Sequence, residues 1–219
     1  SLRRSEARSI EIASEEMLHS ESELGTNGLQ LKDGLNPEML ERRAIERSKE
    51  IDIAIVGNPN CGKTTLFNFA SGSTEHVGNY SGVTVEAKTS SFKFRDYKIN
   101  LIDLPGTYSL SAYSPEELFV RKQLISSPPD FIINVIDASN LERNLFLTTQ
   151  LMELDIPIIA ALNMHDELLA KGDYFDHKQL GEMLGIPFQP TVGHRNKGVN
   201  ELFSKVVELY EKQHEPLRR

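Results

Sequence analysis

Short apolar runs alternate with amphipathic stretches from residue 51 to residue 213. The runs IDIAIV, KINLID, DFIINVID and PIIAALN are rich in Ile and Val and are bounded by turn-forming residues, as is typical of buried parallel strands. Between them, KTTLFNFA, SPEELFVRKQLI and NLERNLFLTTQLMEL place apolar side chains at helical spacing. Ser114, followed by a proline and two glutamates, predicts the start of one of these helices.

The remaining elements complete an α/β sheet. TVEAKTSSFKFRDYKINLID predicts two antiparallel strands joined near Arg95, Asp96 and Tyr97. A helix at DHKQLGEML, a short strand at IPFQPTV and an amphipathic helix at GVNELFSKVVELYEKQ follow. The pattern predicts a mostly parallel six-stranded sheet with one antiparallel strand and helices on both faces. In such folds ligands bind beyond the carboxyl ends of the strands.

The N-terminal part of the chain has a different character. Residues 15–50 hold nine acidic and five basic residues and no aromatic side chain, which predicts an acidic linker. Asn36 and Pro37 predict the start of a short helix at about 37–49. Residues 1–14 are too short to fold alone and are interpreted as the remnant of an upstream domain, while 214–219 form a tail.

Composition and net charge indicate a globular domain and disfavour a nucleic-acid-binding function. The 219 residues are 39% hydrophobic and 26% charged, which fits a globular domain. The formal net charge of -8 disfavours nucleic acid as a partner, because phosphate backbones are bound by surplus Lys and Arg. A single cysteine fits a reducing compartment. Without a long apolar run or a leader, we expect this segment to be soluble and cytoplasmic.

One short stretch carries a phosphate-binding signature. GNPNCGKT, residues 57–64, matches G-x-x-x-x-G-K-[ST] between a predicted strand and a predicted helix. Glycines let the main chain wrap around an anion, and the amides at the helix N-terminus supply positive potential. Lys63 is then expected to reach the β and γ phosphates, and Thr64 to place its hydroxyl on magnesium. The alternative is a chance match in a glycine-containing turn.

Two further motifs are expected beside a bound nucleoside triphosphate. Asp103-Leu-Pro-Gly106 ends the strand KINLID, where Asp103 would hold magnesium through water and the Gly106 amide would contact the γ phosphate. Alone, this motif is more often a plain turn. In the loop VGNYSGVTVE, Thr84 would reach magnesium when a triphosphate is bound; its alternative is a threonine that begins a strand.

The base is expected to be selected by Asn163-Met-His-Asp166, which closes the strand PIIAALN. The carboxylate of Asp166 can accept hydrogen bonds from guanine N1–H and the 2-amino group, a donor pair that adenine lacks. Asn163 can reach N7 and the neighbouring loop. An ordinary Asx pair is the alternative if the motif stood alone. Four motifs in this order favour GTP as the ligand.

These motifs resemble those of the Ras-like P-loop GTPases of the translation-factor class. GNPNCGKTTLFN, VGNYSGVTVE, DLPGTYSLSAYSPEE, NVIDASNLERNLFLTTQL and ALNMHD are similar to the G domain of ferrous iron transport protein B (FeoB). The resemblance implies a GTPase on the cytoplasmic side of the bacterial inner membrane that regulates iron(II) uptake, with helical and transmembrane parts as further partners. SLRRSEARSIEI is similar to the last strands of the FeoA protein, which implies a fused FeoA-FeoB parent.

The resemblance also implies cofactors and site differences. Potassium held by Asn60 would supply the positive charge that an arginine finger supplies elsewhere; alternatively Asn60 only shapes the loop. Met164 replaces the usual lysine of the base motif, and Thr107 stands where Ras has a glutamine. Thr191-Val192-Gly193 replaces a Ser-Ala pair that contacts guanine. Slow unaided turnover and fast nucleotide release are expected.

The candidate site therefore has three overlapping sets. The catalytic set is Lys63, Thr84, Gly106 and Asn60, and the metal set is Thr64, Thr84 and Asp103 for magnesium and Asn60 for potassium. The nucleotide-binding set is Gly57, Asn58, Pro59, Asn60, Cys61, Gly62, Lys63, Thr64, Thr65, Gly82, Val83, Thr84, Asp103, Leu104, Pro105, Gly106, Asn163, Met164, His165, Asp166, Thr191, Val192 and Gly193. Glu116 and Glu117 are weaker candidates for aligning water.

We expect no functional role for the histidines or for Cys61. The histidines share no metal-ligand spacing and are expected to be exposed or capping, and Cys61 is interpreted as a small packed side chain rather than a redox sensor with a lowered pKa. Two other functions stay open. The first is a nucleotide-switched binding module with little hydrolysis, and the second is an RNA- or ribosome-associated GTPase, which the acidic balance disfavours.

Overall fold

The structure is a computed structural model that describes residues 49–72, 76–79, 86–111 and 113–214. Several predicted features lie outside the described residues. They are the upstream remnant at 1–14, the linker as far as residue 48 with nearly all of its predicted helix, the loop residues Gly82, Val83 and Thr84, and the tail beyond residue 214.

Seven strands and six helices of the described chain alternate in sequence. The strands are β1 Glu50–Gly57, β2 His76–Asn79, β3 Glu86–Phe94, β4 Tyr97–Asp103, β5 Phe131–Asp137, β6 Ile158–Asn163 and β7 Phe188–Pro190. The helices are α1 Lys63–Ser71, α2 Pro115–Ser126, α3 Leu141–Met152, α4 His165–Ala170, α5 His177–Leu184 and α6 Val199–His214. Short 3-10 turns at Ala138–Asn140 and Gly193–Arg195 precede α3 and α6.

The strands form one sheet in the order β2-β3-β4-β1-β5-β6-β7. The four pairings from β4 to β7 are parallel, and β3 runs antiparallel to both of its neighbours. The α/β fold class with one antiparallel strand is confirmed. The sheet has seven strands because His76–Asn79, in a stretch that the sequence analysis treated largely as loop, pairs with β3. Four residues that include a glycine carry too little strand pattern to be recognised.

Helices cover both faces of the sheet, as predicted, because side chains of β1 alternate between two cores. One core joins β1 to α1 and α6 through Ile51, Ile53, Ile55, Leu66, Phe67, Leu202, Phe203 and Val206. The other joins β1 to α2, α3 and α4 through Ala54, Val56, Phe119, Val120, Leu124, Leu147, Leu151 and Leu168.

Element boundaries follow local signals with small differences. The Ser114 hydroxyl accepts a hydrogen bond from the Glu117 amide at 3.1 Å and caps α2, as predicted. Strands β3 and β4 turn at Arg95, which has φ 54°. Strand β1 begins at Glu50, one residue inside the predicted linker, and α6 includes His214, which was assigned to the tail. The described helices include none with the length and apolar character needed to span a membrane.

The parallel strands bring the predicted motifs to one edge. Ile55 of β1 lies beside Asp103 at the end of β4, and Asp137 at the end of β5 lies beside Asn163 at the end of β6. Gly57 at the end of β1 lies beside Val135. Carboxyl ends of parallel strands share an edge, so motifs far apart in sequence converge there.

Candidate functional site

The loop between β1 and α1 is shaped by two glycines. A Cβ atom at Gly57 would lie 2.4 Å from the carbonyl oxygen of Val135, and a Cβ at Gly62 would lie 2.2 Å from Nδ2 of Asn163. Gly62 also has φ 88°, a left-handed conformation that other residues rarely adopt. The main chain therefore turns tightly between strand and helix, and the first-turn amides of α1 open towards the carboxyl edge.

Lys63 and Gly106 meet above this loop. A Cβ atom at Gly106 would lie 3.2 Å from Nζ of Lys63 and 3.0 Å from Cα of Pro59. Lys63 is only 8% exposed, and the Thr107 amide donates to the carbonyl of Gly57 at 3.2 Å. The residues that follow β4 thus pack on the loop at residues 57–64, here called the phosphate loop. The Lys63 ammonium lies beside both. An ammonium beside the main-chain amides of a helix N-terminus is suited to polyphosphate oxygens.

Thr64 and Asp103 form the candidate magnesium pair. The Thr64 hydroxyl donates to Oδ2 of Asp103 at 3.1 Å, so the two predicted metal ligands are adjacent in space. A hydroxyl and a carboxylate are hard oxygen donors, the type that Mg²⁺ selects, and magnesium sites commonly add phosphate oxygens and water to one or two protein ligands. The pair therefore fits a magnesium ion bound together with a nucleotide.

Asn163 connects two loops of the site. Its Nδ2 donates to the carbonyl of Cys61 at 2.9 Å, and its Oδ1 accepts from the Gly193 amide at 2.9 Å and from the Thr191 hydroxyl at 3.4 Å. The side chain is only 3% exposed. The predicted reach of Asn163 to a neighbouring loop is therefore present. The Asn163 side chain joins the phosphate loop to the Thr191–Gly193 segment.

The base motif continues into the short helix α4, which the sequence analysis did not predict. Met164 has φ 56° and lies half-buried at the start of this helix, and Asp166 is also half-buried. A cavity of about 100 Å³ lies between α4 and the strand end after β7, lined by His165, Asp166, Leu169, Pro190, Thr191, Val192 and Lys197. Asp166 and the Thr191–Val192 segment thus share one concave surface.

The two asparagines of the loop differ in environment. Asn60 is exposed and has φ 64°, a conformation that Asn tolerates better than most residues. Asn58 is only 1% exposed, and its Nδ2 donates to the carbonyl of Arg143 at 3.5 Å. Among the described residues, Oδ1 of Asn58 has no hydrogen-bond partner. Asn58 therefore ties the loop to α3, while Asn60 is placed at its surface.

Cys61 is buried beneath the loop rather than poised for reaction. Burial raises the pKa of its thiol to about 11, although the neighbouring Lys63 ammonium acts in the opposite direction. The helix N-terminus therefore does not activate this thiol, and it stays protonated at neutral pH. This agrees with the interpretation of Cys61 as a packed side chain.

The sequence analysis did not predict the polar network at the end of β5. Burial alone would raise the pKa of Asp137, but hydrogen bonds from Asn140 and Ser139 outweigh it and hold the pKa below its usual value. The Asp137 amide donates to Oδ1 of Asn144 at 3.3 Å. The only sequence signal was the set of Asn, Ser and Thr residues within NVIDASNLERNLFLTTQL. This network fixes the start of α3 beside the loop.

The sequence analysis also predicted no contacts for the segment that follows Gly106. We call residues 107–111 the connecting segment, because they lie between the end of β4 and the start of α2. The Ser109 hydroxyl donates to the Glu117 carboxylate at 2.9 Å, and the Leu110 amide donates to Oε1 of Gln150 at 2.7 Å. Side chains from two helices therefore hold this segment.

Two of the histidines lie together. The rings of His165 and His177 are edge to face, with centroids 6.1 Å apart. Burial and the neighbouring His165 hold the pKa of His177 below its usual value. In the part of the chain that the structure describes, no three His, Cys, Asp or Glu side chains are grouped to hold a metal ion.

Sequence comparison identifies similar proteins for most of the chain. The profile of the family described as "Ferrous iron transport protein B" matches residues 51–206. A Porphyromonas gingivalis Fe(2+) transport protein A/Fe(2+) transporter FeoB fusion protein is 57% identical over 169 residues, which is 77% of this chain and 20% of the relative. The Fe(2+) transporter FeoB of Escherichia coli K12 is 47% identical over 158 residues, covering 70% and 20% respectively. The chain thus spans about a fifth of the length of these relatives.

Solved structures agree with these sequence matches. The cytosolic domain of the Thermotoga maritima FeoB iron transporter, in a GDP form, matches with a TM-score of 0.72 and 40% identity, over 74% of this chain and 64% of that chain. The FeoB G-domain of Methanococcus jannaschii matches with a TM-score of 0.65 and 36% identity, over 75% and 99%. Each of the two matches covers about three quarters of this chain.

Proposed function

Since this chain belongs to the ferrous iron transport protein B family, we propose that it binds GTP and hydrolyses it, and thereby regulates iron(II) uptake by a membrane transporter. The observation that carries the proposal is the convergence of Lys63, Gly106 and the Thr64–Asp103 pair above one glycine-shaped loop. The GDP-bound state of a similar FeoB domain supports guanine nucleotide as the ligand.

The phosphate chain is bound by main chain and one cation. Main-chain amides at the end of the loop and in the first turn of α1 face the α and β phosphates, and the Lys63 ammonium lies between the β and γ phosphates. Gly106 is close enough to Lys63 for its amide to contact the γ phosphate. Magnesium, held by Thr64 and Asp103, would neutralise charge on the β and γ oxygens when nucleotide is bound. The Gly106 contact thus distinguishes a triphosphate from a diphosphate.

The base is bound at the end of β6. Asp166 accepts two hydrogen bonds from guanine, and Met164 covers one face of the ring with an uncharged side chain. Asn163 fixes both the phosphate loop and the Thr191–Gly193 segment around the base. Met164 in place of lysine, and Thr191-Val192-Gly193 in place of the Ser-Ala pair, weaken the binding of guanine. We therefore propose fast nucleotide release.

Unaided hydrolysis is proposed to be slow and stimulated by potassium. The residue after Gly106 is Thr107, and its hydroxyl donates to the carbonyl of Ser109 at 2.7 Å, so it is engaged within the protein. A water-orienting side chain is therefore lacking at this position. A potassium ion held by Asn60 would place positive charge between the β and γ phosphates, where charge develops during cleavage.

The wider context of the domain follows from the family. We propose that the parent protein is a bacterial inner-membrane transporter, with this domain on its cytoplasmic side and helical and transmembrane parts as its partners. The fused relative supports a FeoA-like domain upstream of residue 15. The acidic balance of the chain supports the absence of a nucleic-acid partner.

Potassium stimulation tests both the reaction and the role of Asn60. We expect GTP hydrolysis to be at least about tenfold faster in potassium than in sodium at equal ionic strength, the scale of one added charge at a transition state. The Asn60→Gly variant keeps the left-handed loop, because glycine adopts φ 64° freely, but lacks the carboxamide. Its hydrolysis rate should be the same in both salts while GDP affinity is retained.

The comparison with Asn60→Ala separates the two roles of this residue. Alanine removes the carboxamide and also strains the loop, so only this variant should lose GDP affinity. If Asn60→Gly keeps full potassium stimulation, Asn60 is a loop-shaping residue and the potassium proposal fails. If the wild-type chain binds GTP but never releases phosphate in either salt, the domain is a nucleotide-switched binding module instead.

A further inference from the structure

Three of the five residues in the connecting segment are buried, although the segment lies between two secondary-structure elements. Thr107, Ser109 and Leu110 are all buried, and the Thr107 amide is bonded to the carbonyl of Gly57 in the phosphate loop at 3.2 Å. Loops usually run over the surface with mobile main chain. A buried loop whose amides are bonded has one preferred conformation, and here that conformation sets the position of Gly106.

Gln150 of α3 provides the polar contact that fixes the middle of this segment. Its Oε1 accepts a hydrogen bond from the Leu110 amide at 2.7 Å across 40 residues of sequence. Gln150 is half-buried, and its neighbours Leu147 and Leu151 are fully buried against the sheet. The Gln150 side chain therefore projects from a helix that packing holds firmly in place.

Helix α3 also contacts the phosphate loop and the start of the connecting segment. The Arg143 guanidinium carbon lies 5.4 Å from the ring centroid of Tyr108, within cation–π range. The carbonyl of Arg143 accepts from Nδ2 of Asn58 at 3.5 Å. One helix thus contacts both the loop proposed to bind phosphates and the segment that carries Gly106.

We infer that Gln150 is a positioning residue for the nucleotide reaction. Its hydrogen bond to the Leu110 amide holds the connecting segment so that Gly106 stays packed on Lys63 and Pro59, in place for a γ phosphate. Arg143 supports the same arrangement through Tyr108. This inference rests on the proposed function, because it assigns Gln150 an effect on the triphosphate state. Gln150 itself does not touch the nucleotide.

A positioning role and a purely structural role predict different binding results. Gly106 is expected to contact only the γ phosphate, so loss of the Gln150 bond should weaken a GTP analogue and leave GDP unaffected. A neutral hydrogen bond contributes about two- to tenfold in an equilibrium constant. A structural defect would weaken both nucleotides equally. The ratio of the two dissociation constants therefore isolates the positioning effect.

The test uses three variants of the full chain. Gln150→Leu keeps the size of the side chain and removes the acceptor, whereas Gln150→Glu keeps an oxygen that can accept from the Leu110 amide. Thr149→Ala is the matched control, because among the described residues the Thr149 hydroxyl bonds to its own helix alone, at the carbonyl of Phe146. Dissociation constants for GDP and a non-hydrolysable GTP analogue are measured by calorimetry, and amide hydrogen exchange is measured without nucleotide.

The expected result is a two- to tenfold weaker GTP analogue for Gln150→Leu with GDP unchanged, and recovery in Gln150→Glu. The Leu110 amide should exchange faster in Gln150→Leu alone. An unchanged ratio of the two dissociation constants in folded Gln150→Leu would overturn the inference, whether or not exchange at Leu110 rises. If exchange rises but the wild-type chain binds no guanine nucleotide, the hydrogen bond exists and the proposed function fails instead. If Gln150→Leu does not fold, Arg143→Ala replaces it, because Arg143 is exposed and contacts the connecting segment through Tyr108. The same ratio of GTP-analogue to GDP dissociation constants is then measured.

Discussion

Replacing Lys63 by alanine is expected to abolish most guanine-nucleotide binding. Lys63 supplies the only side-chain charge that the described loop, residues 57–65, places towards the phosphates. A hydrogen bond to a charged group contributes about 1.5–3 kcal/mol, and the burial of Lys63 strengthens its attraction for phosphate. We expect GDP affinity to fall by about a hundredfold. Equilibrium titration with a fluorescent GDP derivative measures this loss.

A second lysine variant controls for the change in net charge. Lys93 is exposed on β3, and Lys93→Ala removes the same charge at a position away from the carboxyl edge. Its GDP affinity should match that of the wild-type chain. Circular dichroism and thermal melting of Lys63→Ala should show an intact fold, since no described hydrogen bond depends on the ammonium group. Undiminished GDP affinity in a folded Lys63→Ala chain would contradict the phosphate-loop assignment.

Replacing Asn163 by alanine is expected to damage both stability and binding. The substitution leaves the Cys61 carbonyl and the Gly193 amide without their partners in a buried region. Each unsatisfied buried group costs about 1–3 kcal/mol, so we expect the free energy of unfolding to fall by about 2–4 kcal/mol. GDP affinity should fall at least about tenfold, because two loops around the nucleotide lose their connection. Urea denaturation and nucleotide titration measure the two effects.

The Asn163→Asp variant separates the two halves of this connection. Aspartate keeps an oxygen that accepts from the Gly193 amide but replaces the donor to the Cys61 carbonyl. The Thr191–Gly193 segment should stay in place while the phosphate loop is released. We expect the stability of this variant to be as low as that of Asn163→Ala, since a carboxylate faces a carbonyl. Wild-type stability in both variants would show that Asn163 does not join the loops.

The convergence of the motif residues at one edge of the sheet could be predicted from the sequence because the signals that place each motif are local. A glycine-bounded turn between an Ile/Val strand and a helix predicts the loop at residues 57–64, and the end of a strand predicts the place of Asp103. Ser114 followed by Pro115 predicts a capped helix from four neighbouring residues. The parallel order of the strands then brings these local signals to one edge. The Thr64–Asp103 contact at 3.1 Å is the result.

Other features depend on contacts between distant residues. The Gln150–Leu110 hydrogen bond joins positions 40 residues apart, and no local pattern distinguishes Gln150 from an ordinary surface residue. Strand β2 exists only because it pairs with β3. For Cys61, the local rule of a thiol near a helix N-terminus suggests a lowered pKa, but burial dominates and raises it. Burial is set by packing, which a single sequence reports only indirectly.

Calorimetric titration of the wild-type chain with GDP, a GTP analogue and an ATP analogue, in magnesium and potassium, tests the central claim most directly. The claim is that residues 57–64 hold a phosphate chain and that Asp166 selects guanine. We predict one binding site for GDP and for the GTP analogue, with the ATP analogue at least about a hundredfold weaker, because adenine lacks the donor pair that Asp166 accepts. Absence of GDP binding, or equal affinity for the adenine and guanine nucleotides, would contradict the account.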